Sequence, residues 1–163
     1  MRLYGSKRIN VLFLQETLGE GVSINTLLTS ILPRWTFHTL DVRGRPRGCA
    51  IGFNNRTINI ENIWGSEGVL GAGVTYIELD APLHLINIYG PCHNRVGFWD
   101  KLTTSYFMDK DNIIIGGDLN LSLAHVESWG SRAQIDPMTE YFELLLDSKN
   151  LLNIDTAKIQ PTW

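Results

Sequence analysis

A carboxylate and a carboxamide two residues apart, Asp118 and Asn120, are the side chains of this sequence whose types and spacing best suit chemistry. If the backbone is extended there, both point to one side of the chain and Leu119 points to the other. Aimed together from the end of a rigid strand, they can hold a water that is bound to a metal or to a phosphate. Gly, Asp and Asn are also common turn residues, so the segment taken alone fits an ordinary turn equally well.

Three consecutive isoleucines, Ile113, Ile114 and Ile115, precede this pair. Gly116 and Gly117 separate the isoleucines from Asp118. A β-branched run that is apolar at every position predicts a strand buried on both faces. The glycines remove side chains where that strand would stop, which permits a sharp turn and the close approach of another group. The pattern therefore predicts a buried strand that delivers Asp118 and Asn120 beyond its C-terminal end.

Two other apolar runs also end on polar residues. Residues 11–14 predict a strand followed by Glu16, and residues 83–91 predict a strand that ends at Tyr89 and a Gly-Pro turn. Open α/β sheets bind ligands at the carboxyl ends of their strands, so these positions are candidates for a site. Taken singly, Glu16 fits a solvated loop residue better, and Tyr89 fits either a phosphate contact or a buried ring.

The remaining patterns predict a layered protein of strands and helices. Apolar residues at helical spacing predict helices over residues 22–32, 96–107 and 138–146. Alternating or apolar runs predict strands over residues 35–40, 48–53, 56–62, 71–79 and 151–154. Short connections favour antiparallel pairing for several of them, and the order predicts one domain of the α+β or α/β class.

Composition sets limits on the function. With 163 residues and 44% hydrophobic content, the chain is large enough for a real core. A net charge of −3 gives no global basic field, which weakens a nucleic-acid-binding module without excluding a metal-dependent nuclease. Cys49 and Cys92 form no metal-binding or disulfide pattern, and residues 11–14 are too short for a signal peptide or a membrane span. We therefore expect a soluble, intracellular protein without a membrane partner.

Three strand ends carry Leu-Gln-Glu-Thr at 14–17, Ile-Tyr-Gly-Pro at 88–91 and Gly-Gly-Asp-Leu-Asn at 116–120. In that order the sequence resembles the endonuclease/exonuclease/phosphatase superfamily, whose fold is the deoxyribonuclease-I-like fold. It looks most like the endonuclease domain of plant LINE-type retrotransposons, in Tyr-Gly-Pro-Cys-His-Asn at 89–94, Glu-Ser-Trp-Gly at 127–130 and Pro-Thr-Trp at 161–163. The resemblance runs from about residue 7 to the end.

The resemblance implies an α+β protein, a four-layer α/β/β/α sandwich, that hydrolyses a phosphodiester with metal-activated water. Glu16 would hold Mg²⁺ or Mn²⁺, which are hard cations that take carboxylate oxygens. Asp118 would orient and deprotonate the attacking water, and Asn120 would hold that water or a phosphate oxygen. Tyr89 would donate a hydrogen bond to a non-bridging oxygen or support the leaving group.

The resemblance also implies partners. DNA would be the substrate, with Asn94 and Arg132 as candidate contacts and with Arg43, Arg45 and Arg47 open as solvated or backbone-contacting residues. In a full-length element a reverse-transcriptase region would accompany this domain, and its location would be the nucleus. The oligomeric state stays open.

The sequence also departs from the family. No metal-site asparagine precedes Ile9, no Ser-Asp-His motif follows, and Cys92 stands where many members have asparagine, although Asn94 is close. We therefore expect residues 1–163 to be a single partial domain without the first strand and the Asp-His segment, with unpaired strand edges. Loss of one transition-state donor typically costs ~10²–10³ in rate, so we expect little or no activity. The alternatives are a non-catalytic remnant or interaction module of the same fold, and a phosphatase acting on a small ester.

Overall fold

A computed structural model describes residues 9–41, 48–121 and 136–154. The chain divides into two compact units, one of Met1–Gly90 with Lys110–Leu119 and one of Pro91–Asp109 with Asn120–Trp163. Among the described residues, no helix is both long enough and apolar enough to span a membrane.

The described part of the first unit contains two sheets and one helix. Its elements are β1 (Val11–Thr17), α1 (Gly21–Ile31), β2 (Trp35–Leu40), β3 (Gly48–Asn54), β4 (Ile58–Ser66), β5 (Val69–Tyr76), β6 (Leu83–Tyr89) and β7 (Ile113–Asp118). One sheet has the antiparallel order β1-β3-β2, and the other has the order β4-β5-β6-β7. Within the second sheet only β6 and β7 are parallel, as expected for strands joined by a long crossover instead of a hairpin.

The core of this unit lies between the two sheets. Alternate residues of the central strands β3 and β5 point into it, which is the period of two that a pleated strand imposes. The buried cluster consists of Cys49, Ile51, Phe53, Ile58, Leu70, Ala72, Val74 and Leu85. Since both sheets contribute, their packing fixes how the ends of β1 and β6 face each other.

The two cysteines differ sharply in environment. Cys49 is fully buried in this core, and burial raises the pKa of its thiol to about 11, whereas Cys92 in the second unit is exposed. Because only the thiolate reacts, we expect a thiol reagent at pH 8 to label one cysteine of the folded protein, Cys92. The number of reactive thiols, measured with dithionitrobenzoate, should rise from one to two in denaturant. Rapid reaction of both thiols in native buffer would contradict the burial of Cys49.

The described part of the second unit is helical. It comprises α2 (Arg95–Thr103), a short 3₁₀ helix (Tyr106–Asp109) and α3 (Thr139–Ser148). The buried Trp99 packs edge-on against Phe142, with ring centroids 4.9 Å apart, and thereby joins α2 to α3. Tyr141 donates a hydrogen bond of 2.5 Å to Asp100, and burial together with this carboxylate raises the pKa of Tyr141 to about 12.

The structure confirms the predicted α+β class, the paired sheets and most of the elements. Two predictions about β7 are wrong, because the strand continues through both glycines to Asp118 and Ile114 is 44% exposed. Because Ile114 is exposed, β7 is not buried on both faces, and within the described residues it has one neighbouring strand, β6.

Four other predicted elements also differ. No strand forms over residues 151–154, where Leu152 is 89% and Ile154 83% exposed. The helix predicted over residues 96–107 ends at Thr103, and a separate 3₁₀ helix begins at Tyr106. The hairpin of β4 and β5 turns at Glu67 and Gly68, where Gly68 has a φ of 72°, so β4 runs further and β5 begins earlier than predicted.

Candidate active site

Three of the predicted site residues come together at the strand ends of the first unit. Tyr89, the last residue of β6, donates its hydroxyl hydrogen bond to Glu16 Oε1 at 3.0 Å. The parallel ladder pairs Tyr89 with Asp118, the last residue of β7. Residues from both sheets, far apart in the sequence, thus form one polar group.

Glu16 reaches this group because β1 is irregular there. The pairing of β1 with β3 shifts between Gln15 and Thr17, and Glu16 has a left-handed φ of 52°. In a regular strand, side chains 15 and 16 would point to opposite faces. Gln15 points to the interior, so a regular strand would direct Glu16 away from the second sheet; the bulge turns it toward Tyr89 instead.

The ends of β6 and β7 are tied together beyond the ladder. The Gly90 amide donates to the Asp118 carbonyl at 2.7 Å, so the main chain of both strands stays paired up to the site. A Cβ on Gly90 would lie 2.2 Å from the carbonyl oxygen of Leu119, and only glycine permits this approach. The main chain of Asp118 is therefore held in place at the end of β7, and the residue is half-buried.

A buried asparagine lies beneath the three strand ends and was not among the predicted residues. Asn87 is fully buried, and its amide nitrogen donates to the Leu14 carbonyl at 3.1 Å and to the Ala50 carbonyl at 2.9 Å. Its amide oxygen accepts a short hydrogen bond from Gln15 Nε2. Two features of the sequence could have indicated it. Asn87 is the polar residue among the apolar residues 85–88, and Gln15 directly precedes Glu16.

The predicted residues Asn120 and Asn94 belong to the second unit. Asn120 has a φ of 50°, so the extended backbone that would align it with Asp118 is not formed. Its carbonyl accepts a hydrogen bond of 2.8 Å from Arg95, which also forms two hydrogen bonds to the Asp136 carboxylate, at 2.8 and 2.5 Å. Those hydrogen bonds are the main reason that the pKa of Arg95 is raised.

Asn94 precedes α2 in a left-handed conformation and is exposed, without a side-chain bond that caps the helix. An exposed amide there is available to a ligand. Arg132 and the basic residues Arg43, Arg45 and Arg47 lie outside the described residues, so their contacts stay predictions.

The donors at the strand ends fit a hard divalent cation. Glu16 offers an exposed carboxylate, and Asp118 supplies a second carboxylate on the strand next to Tyr89. Proteins usually bind Mg²⁺ through one or two carboxylates together with water and substrate phosphate. The described residues contain no cluster of three His, Cys, Asp or Glu side chains that could hold a metal by themselves. The arrangement therefore fits a cation shared with a phosphate, and not a closed structural metal site.

Comparison with known proteins identifies the fold. No family model and no curated protein matches the chain. Among solved structures, a humanized D. rerio TDP2 has a TM-score of 0.53 at 16% identity, over 69% of this chain and 53% of that chain. ANGEL2, a 2′,3′-cyclic phosphatase, has a TM-score of 0.55 at 15% identity, over 83% of this chain and 43% of that chain.

The endonuclease domain of TRAS1, a telomere-specific non-LTR retrotransposon, has a TM-score of 0.55 at 10% identity, over 85% of this chain and 72% of that chain. This chain therefore has the deoxyribonuclease-I-like fold, as predicted. It spans about half the length of the TDP2 and ANGEL2 structures that it matches.

Proposed function

We propose that this chain is the metal-dependent phosphodiesterase part of a LINE-type retrotransposon, an endonuclease domain whose cleavage of DNA is weak or lost. One observation carries the proposal: Glu16, Tyr89 and Asp118 meet at the ends of three strands, with Tyr89 hydrogen-bonded to Glu16 at 3.0 Å. A carboxylate ligand, a hydroxyl donor and a second carboxylate can supply the metal binding, hydrogen-bond donation and proton acceptance that metal-dependent phosphodiester hydrolysis uses.

Each group has a role in the proposed reaction. The exposed Glu16 carboxylate would hold Mg²⁺ or Mn²⁺. The Tyr89 hydroxyl, which donates its single hydrogen to Glu16 in this structure, would turn that hydrogen to a non-bridging phosphate oxygen when substrate binds. Asp118 orients the attacking water and accepts its proton. Asn120 holds a phosphate oxygen or the same water. A bound divalent cation supplies Lewis-acid stabilisation of the charge that develops on phosphate.

Two lines of support favour DNA as the substrate. The solved structures that share the fold include the retrotransposon endonuclease domain of TRAS1 and D. rerio TDP2 in complex with a single-strand DNA product. The motifs at 89–94, 127–130 and 161–163 add the resemblance to plant LINE elements. Asn94 and Arg132 are the proposed contacts to DNA, a reverse-transcriptase region is the proposed partner within a full-length element, and the nucleus is the proposed location.

The metal ligand is tested by binding of Mn²⁺ to Glu16→Gln. We expect the Kd for Mn²⁺, measured by titration calorimetry or electron paramagnetic resonance, to rise at least about tenfold, because even partners of metal ligands cost that much when removed. Nicking of supercoiled plasmid in the same buffer should fall with it.

The matched control is Glu61→Gln, which removes the same charge from the exposed part of β4. Glu61 lies far from the site. Its neighbour Ile60 pairs with Val74 of β5, and Val74 pairs with Leu83 at the start of β6. Leu83 is roughly 20 Å along that strand from Tyr89. The control should bind Mn²⁺ like the wild type. Equal affinities for all three proteins would contradict Glu16 as a ligand.

The same assays separate the alternatives. Hydrolysis of 4-nitrophenyl phosphate without plasmid nicking would replace the endonuclease with a phosphatase that acts on small esters. A wild-type protein that takes up no Mn²⁺ and cleaves neither substrate would support a non-catalytic remnant or interaction module of this fold.

A further inference from the structure

A hydrogen-bonded link between the two sheets lies directly beneath the three strand ends, and it joins Asn87 to Gln15. We propose that Gln15, anchored by Asn87, is a positioning residue that holds Glu16 in the conformation needed to bind the divalent cation. This inference rests on the proposed function, since it concerns the same site, and it assigns a role to two residues outside the reacting groups.

Asn87 is a rigid anchor because its amide nitrogen and its amide oxygen both form hydrogen bonds to neighbouring residues. Both amide hydrogens can be used by the carbonyls of Leu14 and Ala50, and the amide oxygen accepts from Gln15. A flipped amide would direct its oxygen at two carbonyl oxygens, which is repulsive. Full burial excludes water as a substitute partner, so the oxygen is fixed in its direction toward Gln15.

Gln15 in turn determines the backbone at Glu16. On one side the Gln15 side chain is held in the interior, and on the other side Thr17 is already paired with Gly48 of β3. Between these two fixed points Glu16 has a φ of 52°, a conformation that a residue with a Cβ adopts only when its surroundings impose it. Without the anchor, β1 is free to relax toward regular alternation, which directs Glu16 away from Tyr89.

The strand that carries Asp118 rests on the same link. A Cβ on Gly117 would lie 2.8 Å from the Asn87 amide oxygen and 2.9 Å from Gln15 Nε2, so β7 packs directly on the pair. The link thus contacts the strands that supply all three site residues, although neither Gln15 nor Asn87 touches the cation in the proposed role.

The test is Gln15→Met, which keeps the length of the side chain and removes its donor. We expect the Kd for Mn²⁺ to rise roughly tenfold or more, the usual effect of losing a partner that orients a ligand, and plasmid nicking to fall in parallel. Gln15 is only half-buried, so the variant is expected to fold.

The control is Tyr76→Phe, which removes the other end of a second link between the sheets. There Asn10 donates to the Tyr76 hydroxyl at 3.3 Å, before the start of β1 and roughly 20 Å of strand from Glu16. This variant loses a comparable hydrogen bond and should bind Mn²⁺ with the affinity of the wild type. An equal loss of affinity in both variants would overturn the positioning role, because general destabilisation would then explain it.

A second readout needs no metal. Backbone chemical shifts and coupling constants at residue 16 should show a left-handed φ in the wild type and in Tyr76→Phe, and its loss in Gln15→Met. An unchanged φ and an unchanged Kd in Gln15→Met would overturn the inference and leave the proposed function intact. A wild type that binds no Mn²⁺ would overturn the proposed function, and the φ of residue 16 would then decide the positioning role by itself.

Discussion

Asp118→Asn is expected to reduce metal-dependent nicking of supercoiled plasmid by ~10²–10⁴, the usual contribution of a general base. The amide has the shape of the carboxylate but cannot accept the proton of the attacking water. The fold should be retained, because the contact between the ends of β6 and β7 is made by the Asp118 carbonyl, which the substitution keeps. Initial nicking rates with Mg²⁺ and with Mn²⁺, at saturating enzyme, measure the effect.

Asp111→Asn is the matched control for that experiment. Asp111 is exposed just before β7, so the same charge is removed about 20 Å away, at the opposite end of the same strand. Equal rates for Asp118→Asn and the wild type would show that Asp118 is not the base. A wild type without metal-dependent nicking would overturn the proposed endonuclease activity. The site residues would then be inherited from an active ancestor without a catalytic role in this chain.

Gly117→Ala is expected to lower the free energy of unfolding by roughly 2–5 kcal/mol, from overpacking and backbone strain together. Its Cβ would lie 2.1 Å from the carbonyl oxygen of Ile88, and the φ of 122° is one that residues with a Cβ rarely adopt. Because the clash is with main chain, no rotamer change relieves it. The midpoint of urea denaturation, followed by circular dichroism, measures the loss.

Gly116→Ala provides the graded comparison. Its Cβ would meet only the Phe13 ring, at 2.8 Å, and a side chain can shift where a main-chain carbonyl cannot. We therefore expect a smaller loss than for Gly117→Ala. The reverse order, or equal losses, would contradict the close approach of Gly117 to the Ile88 carbonyl.

Local patterns predicted the elements well where short-range physics decides them. The strand Trp35–Leu40 was predicted to the residue, since alternation of apolar and polar side chains reports its one buried face. The burial of β7 was predicted wrongly, because three isoleucines have the same pattern whether or not a second layer covers the other face of the strand. Only the assembled sheet shows that Ile114 is 44% exposed.

The site was partly predictable for a similar reason. Strand ends meet at one edge of a sheet, so Glu16, Tyr89 and Asp118 could be proposed from their positions after apolar runs. The bulge that turns Glu16 toward Tyr89 could not, since it depends on a contact between Gln15 and Asn87, which lie 72 positions apart. The left-handed backbone of Asn120 was also missed, because asparagine is compatible with that conformation without requiring it.

The hydrogen bond that joins Tyr89 of β6 to Glu16 of β1 has a consequence for how the site forms in time. β4 and β5 are joined by a two-residue turn and can pair at once, whereas the hydrogen bond between Tyr89 and Glu16 closes a separation of 73 positions. Contacts of such long range form slowly, because the loss of chain entropy precedes their stabilising energy. A refolding intermediate in which only the hairpin of β4 and β5 has formed would already show the circular dichroism of β-structure. Its site residues Glu16, Tyr89 and Asp118 would still be far apart. Regaining activity should therefore lag behind regaining secondary structure during refolding.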